Sequence, residues 1–533
     1  MVVMKRIVLI ILLISSVLCV AQNGNVKPAE TTQKMATTMY LIDNFYVDEA
    51  DMAKLTEEAI VSMLKSLDPH SAYIAAKDVR KANEELVGSF EGIGVTFQIL
   101  RDTILVVSAV PGGPSEKVGI MAGDRIVTVD GEDAFGKKVN NEYVTKHLRG
   151  KKGTKVVLGI KRGDDDELID FEVIRDKIPL NSINTYFMID KKTGYIKLDK
   201  FSQQSADEFK KALDDLRHQG MQSLVFDLRG NGGGYLQVAF GLGNEFLGGD
   251  KMVVFTEGLS VPKQVFETDK DGDFCEGRLV VLIDEGSASA SEIVAGAIQD
   301  WDRGVLIGRR SFGKGLVQRP FNLPDESQIR LTTARYYTPT GRCIQRSYEQ
   351  GSEEYFKEMT KRLEHGEYYH ADSIHFPDSL KYFTLTSGRT VYGGGGIMPD
   401  IFMPMDTVAT TKLLTDLIRK AVFNTYCVDY VLTNREKILK NYPDFEKFNK
   451  KFKVEDTMLN DFKKVAEQKN VVWNDEQYER SKKWIELRVK AIIAQNVWNI
   501  DKFYQVVATE DKMIERAVEI INSPKEYDKI LGK

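Results

Sequence analysis

Three serines in Gly286-Ser-Ala-Ser-Ala-Ser-Glu292 and one lysine in Phe312-Gly-Lys-Gly315 are the residues of this 533-residue chain whose types and spacing speak most directly of chemistry. A serine becomes a nucleophile only beside a base, and lysine can replace histidine there when burial keeps its amine neutral. An ordinary lysine has a pKa of about 10.4, so work near neutral pH requires a drop that costs roughly 4 kcal/mol. Burial with no carboxylate stabilising the charged form supplies that drop. Gln318, four residues after Lys314, can hold the amine by hydrogen bonding while carrying no charge itself. A third segment, Asp227-Leu-Arg-Gly-Asn-Gly-Gly-Gly234, has glycines that free backbone amides to face a substrate oxygen. Asp227 and Arg229 can pair to pin this loop, and Asn231 can bond its own backbone. The three segments point to acyl transfer by a Ser-Lys pair.

Each segment also has a plainer reading. Serine is a preferred helix cap, so the serine segment alone is equally an ordinary N-terminus, with Ser287 and Ser291 as rivals to Ser289. A lysine between glycines binds phosphate in other settings, but Gly308-Arg-Arg-Ser-Phe-Gly-Lys-Gly315 lacks the Ser or Thr that must follow the lysine. A histidine triad has no support: His365, His370 and His375 fall in a polar stretch, His70 reads as a turn residue after Pro69, His147 as part of a helix, and His218 as exposed. No Cys/His/carboxylate spacing suggests a metal, no cofactor is implied, and the acidic residues 164–167 read as a solvated hairpin turn.

The elements that must position these residues follow from hydrophobic spacing. Strands over 223–228, 278–283 and 305–307 alternate with helices over 205–219 and 289–301, the arrangement of an α/β core spanning 177–405. Free N–H groups at the start of the second helix favour negative charge developing near Ser289. Residues 347–393, polar and aromatic, read as an insertion in that core. Helical spacing over 22–87 and 406–533 predicts helical N- and C-terminal domains, candidates for a homodimer contact or for capping. Between them, residues 88–176 carry short strands and turn clusters such as Pro111-Gly-Gly-Pro114.

The bulk numbers fit a multidomain α+β protein, with 42% hydrophobic and 28% charged residues. A net charge of −5 and the lack of a basic tract exclude a general affinity for nucleic acid. Lys5-Arg6, an apolar run over 7–20 and the small exit at Cys19-Val-Ala21 predict an export signal, residues 1–21, cleaved after Ala21 into a periplasmic or otherwise exported protein, with an uncleaved anchor or a lipoprotein at Cys19 as the alternatives. Cys275, Cys343 and Cys427 remain, with a Cys275–Cys343 bridge and three free thiols equally open.

The 88–176 module resembles a PDZ domain. Phe90-Glu-Gly-Ile-Gly-Val95 matches its carboxylate-binding loop, with Gly92, Ile93, Gly94 and Val95 as the peptide-binding residues. Leu67-Asp-Pro-His-Ser71, the Asp227 loop, the serine and lysine segments and Gly395-Gly-Ile-Met-Pro-Asp400 complete a resemblance to the C-terminal processing peptidases, or tail-specific proteases. That resemblance implies a crotonase/Clp-peptidase-like core with an inserted PDZ domain. It implies Ser289 as nucleophile, Lys314 as base, Gln318 as its orienting partner, and the Gly233 and Ala290 amides as oxyanion hole. Arg149 matches an arginine through which the PDZ domain of some members supports the active form. The expected partners are proteins with accessible C-terminal tails, and an adaptor is a further candidate. A catalytically silent PDZ scaffold of the same fold is the alternative, and an acyl-CoA-processing crotonase relative would explain neither the PDZ module nor the export signal.

Overall fold

The computed structural model describes residues 28–163, 167–407 and 409–533. The proposed export signal and its cleavage after Ala21 lie outside these residues, as do acidic positions 164–166. The chain divides into two compact units between Leu67 and Asp68. In the first, helices Pro28–Phe45 and Met52–Lys65 leave Tyr40, Phe45, Val61 and Met63 exposed. Asp51 caps the second of these helices by accepting the Lys54 N–H at 3.0 Å.

At the centre of the second unit is a six-stranded sheet in the order Thr185–Met188, Thr193–Lys197, Ser223–Asp227, Leu279–Ile283, Val305–Gly308 and Ile401–Phe402. All neighbours run parallel except the first pair. The strand sequence Leu279-Val-Val-Leu-Ile283 is apolar throughout because both faces of the sheet are covered. Side chains alternate between the two layers. Leu224, Phe226, Leu279, Val281 and Ile283 meet helices Ser205–His218, Leu236–Phe246 and Ala290–Asp300. Val225, Val280, Leu282, Val305 and Ile307 meet helices Lys512–Asn522 and Pro524–Ile530. The C-terminal region therefore supplies one whole layer of the core.

A second, antiparallel sheet joins Ala72–Ile74, Gln328–Tyr337, Met252–Gly258 and Val261–Glu267, with Leu316–Asn322 paired to the long second strand. Pairing of Ala72 with Arg330 and of Gln318 with Thr332 brings the Asp68–Ser71 turn beside the lysine loop. Asp68 locks that turn, accepting the His70 and Ser71 N–H groups at 2.8 Å each.

Strands Val95–Leu100, Thr103–Ala109, Arg125–Val129, Lys155–Lys161 and Ile169–Ile174 form an antiparallel sheet around Ile104, Val106, Ile126 and Leu158. Its two connections to the rest of the chain pair with each other as Ser89–Gly92 and Asp176–Pro179. Six further helices between Lys412 and Ala508 build a separate core around Phe423, Phe448, Phe462 and Ile493. One of them, Val422–Asn441, rests Val428 on Leu100 and Leu105, and its Asp429 meets Arg101 at 3.3 Å. Cys275, Cys343 and Cys427 are all unpaired. Among the described residues no helix is long and apolar enough to cross a membrane.

Candidate active site

Strand Leu279–Ile283 runs into a short turn, and Ser289 ends that turn as the cap of helix Ala290–Asp300. Its φ of 55° and ψ of −112° place a non-glycine residue where few L side chains go. Glu292, at the third helical position, holds this geometry by accepting the Ser289 N–H at 2.9 Å. The same buried carboxylate accepts the Gly313 and Lys314 N–H groups at 2.7 and 2.9 Å, and the Ser311 hydroxyl. One side chain thus ties the serine turn to the lysine loop. Burial raises the Glu292 pKa, against these four donors.

The three serines separate cleanly. Ser287 is buried, donates to Leu228 O at 2.8 Å and accepts the Asp284 N–H at 3.0 Å. Ser291, also buried, donates to Asn231 O at 2.8 Å. Ser289 lines a cleft of about 570 Å³ together with Lys314, Gln318, Gly233 and Ala290. Burial holds the Lys314 amine below its ordinary pKa, opposed but not cancelled by the Glu292 and Asp68 carboxylates. Its Nζ donates to Gln318 Oε1 at 3.1 Å, and Gln318 Nε2 in turn donates to His70 O. Among the described residues no hydrogen bond joins the Ser289 hydroxyl to this amine.

Loop Asp227–Gly234 approaches from the side. Gly233, at φ 97°, lies so close that a Cβ there would stand 2.8 Å from Ser289 Cβ and 2.9 Å from Ala290 N. Its N–H donates to Asn231 Oδ1 at 2.9 Å, a bond it must share or release to serve an oxyanion. Asp227 is fully buried. Burial alone would raise its pKa, but Arg229, Lys197 and the Tyr195 hydroxyl hold the carboxyl far below the usual carboxylate range. Arg229 Nη2 meets Asp227 Oδ2 at 2.6 Å, as the sequence suggests.

The sequence reading misses the wall around the lysine. His70 does sit in a turn, but it also borders a second cleft of about 550 Å³ with Lys314, Phe312 and Met359. Burial, then the nearby Lys314 charge, lower the His70 pKa to about 4, so its ring is neutral near pH 7. Nε2 of that ring pairs with the Tyr355 hydroxyl at 2.9 Å. Tyr355 and Phe312, set edge to face, both pack against the Arg346 guanidinium, with ring centroids 3.9 and 4.1 Å away. Tyr355 and Met359 belong to helix Ser352–Glu364, so the stretch read as an insertion reaches the site. A Ser-x-x-Glu spacing marks Glu292 in the sequence; nothing local marks His70 or Tyr355.

In the 88–176 module, the Ile93 carbonyl accepts the Ser115 N–H at 3.0 Å, and the Gly94 carbonyl accepts the Val110 N–H at 2.9 Å. Because a trans peptide points its N–H opposite its C=O, the Gly94 and Val95 amides face outward. Strand Val95–Leu100 is an edge of its sheet, open to an added strand. Gly92 bridges to Arg149, whose guanidinium stacks on Phe90 at 4.4 Å and pairs with Glu84 of helix Ala76–Val87.

Residues 192–351 match peptidase family S41, residues 92–173 a PDZ domain, residues 16–78 the activating protease CtpB N-terminal domain, and residues 413–499 a family of unknown function. A carboxy-terminal-processing protease of Bartonella bacilliformis is 37% identical over 305 residues, covering 56% of this chain and 69% of that one. The carboxy-terminal processing protease CtpB of Bacillus subtilis is 34% identical over 355 residues, covering 65% and 71%. A solved photosystem II D1 C-terminal processing protease is 27% identical and covers 60% of this chain and 90% of its own, with a TM-score of 0.33.

Proposed function

The chain belongs to the carboxy-terminal processing proteases of peptidase family S41, and from that premise we propose that it is an exported endopeptidase that cuts proteins near their C-terminal tails with a Ser289–Lys314 dyad. It is a serine-type peptidase with a PDZ domain. The observation that carries the dyad is the shared cleft, lined by Ser289 and by a buried lysine held by an uncharged partner, while Ser287 and Ser291 are buried and committed to backbone carbonyls.

In this mechanism the neutral Lys314 amine takes the Ser289 proton as Oγ adds to the scissile carbonyl. The oxyanion receives the Ala290 N–H at the helix start and the Gly233 N–H, once Asn231 yields it. Collapse breaks the C–N bond, and the Lys314 ammonium returns its proton to the leaving amine. Water then hydrolyses the acyl-enzyme by the same route. Gln318 orients the amine without stabilising its charge. A tail enters by pairing with the edge strand Val95–Leu100, its carboxylate on the outward amides of the Gly92–Val95 loop. Arg149, paired with Glu84 of helix Ala76–Val87, ties that domain to the helix that precedes it. Export rests on the N-terminal charge-then-apolar pattern.

Replacing Ser289→Ala or Lys314→Ala is expected to abolish cleavage of an unstructured protein while circular dichroism and the melting temperature stay near wild type. A wild-type protein that cuts nothing, with variants indistinguishable from it, returns the chain to the scaffold reading.

A further inference from the structure

The helical region that follows the protease core reaches back to the oxyanion loop through one side chain. Arg229 offers two edges of its guanidinium. Nε and Nη2 face Asp227, at 3.0 and 2.6 Å from Oδ2. Nη1 points the other way, to Asp511, at 2.9 Å from Oδ2 and 3.2 Å from Oδ1. Arg229 and Asp511 each keep only 18% of their side-chain surface exposed, so water competes weakly for the pair.

Asp511 is itself fixed. It caps helix Lys512–Asn522, accepting the Met513 and Ile514 N–H groups at 2.9 and 3.3 Å. That helix is bolted to the sheet through Met513, Ile514, Ala517 and Ile521. Asp227 already neutralises Arg229, so the second carboxylate adds little charge balance. What it adds is direction: two carboxylates from opposite sides hold the guanidinium in one plane, four residues before Gly233. An oxyanion donor displaced by a fraction of an ångström loses much of its value.

We propose that Asp511 is a positioning residue for catalysis, clamping Arg229 so that the Asp227–Gly234 loop presents its amides to Ser289. The clamp makes the C-terminal helical region part of the catalytic apparatus. This rests on the Ser-Lys reading above, and the test keeps the two apart.

The full-length mature chain is assayed on a quenched-fluorescence unstructured peptide ending in a free carboxylate, with wild type and Ser289→Ala in parallel. Asp511→Ser keeps a helix cap but is too short to reach Arg229. It is expected to lower kcat about tenfold, with KM within about twofold and an unchanged melting temperature. Asp511→Glu, which restores the carboxylate, is expected to recover most of the loss. Arg516→Ala, on the outer side of the same helix, is expected to leave kcat at the wild-type value. The proposal is overturned if Asp511→Ser keeps wild-type kcat, if its loss matches a loss of folded protein, or if Arg516→Ala costs as much. Should Asp511→Ser fail to fold, Asp511→Asn carries the test: a severalfold loss of kcat supports the clamp and a wild-type kcat removes it. Wild type without activity, or Ser289→Ala with it, defeats the dyad reading instead.

Discussion

The proposed role of Lys314 as base depends on what surrounds its amine. Burial disfavours the ammonium, and the closest partner, Gln318 Oε1, is a neutral acceptor. Activity should therefore rise with pH along one limb whose midpoint lies below the ordinary lysine range, because only the neutral amine can take the serine proton. His70 adds no second limb above pH 5, since it titrates at about 4. Gln318→Glu places a carboxylate against the same amine and stabilises its charged form, so the limb should move to higher pH and kcat at neutral pH should fall at least tenfold. A pH profile of kcat for the two proteins checks this. An unshifted limb would mean that the titrating group is not Lys314.

The turns and loops around these residues are held as units, and Gly233 marks the closest approach between two of them. With Ser289 Cβ and Ala290 N both within 3 Å of where its Cβ would stand, Gly233→Ala must push the loop away from the helix mouth. A fall in kcat of about 10² is expected, as for loss of one oxyanion donor, with the fold intact by circular dichroism. The sequence made this much legible: apolar runs at strand and helix spacing located the core, and glycine, serine and lysine at fixed offsets located the loops. The wall around the lysine was not legible, for a physical reason. His70 and Tyr355 are 285 positions apart and meet only because strand Ala72–Ile74 pairs with Gln328–Tyr337. Residues 347–393 look polar because helix Ser352–Glu364 buries only Tyr355 and Arg362. No periodicity announces so narrow a contact. Asp511 is hidden for a like reason, being an ordinary cap to any local reading.

At the scale of the whole chain, the proposed recognition and cutting sites lie on separate sheets. If the outward amides of the Gly92–Val95 loop hold a carboxylate, converting a peptide's terminal carboxylate to an amide should weaken its binding at least tenfold. Calorimetry with Ser289→Ala, which cannot consume the peptide, measures this, and equal affinity would remove the tail-recognition claim. The PDZ domain is fastened to its surroundings lightly. Beyond the Ser89–Gly92 and Asp176–Pro179 ladder and the Arg149–Glu84 and Arg80–Glu91 pairs, it meets helix Val422–Asn441 at a three-residue apolar patch and a largely exposed Arg101–Asp429 contact. A patch of that size is worth about 2 kcal/mol, and an exposed ion pair adds little. A latch of that strength, taken alone, would stand open a few per cent of the time, leaving the Ser89–Gly92 and Asp176–Pro179 ladder and the Arg149–Glu84 pair as the hinge on which the domain would turn.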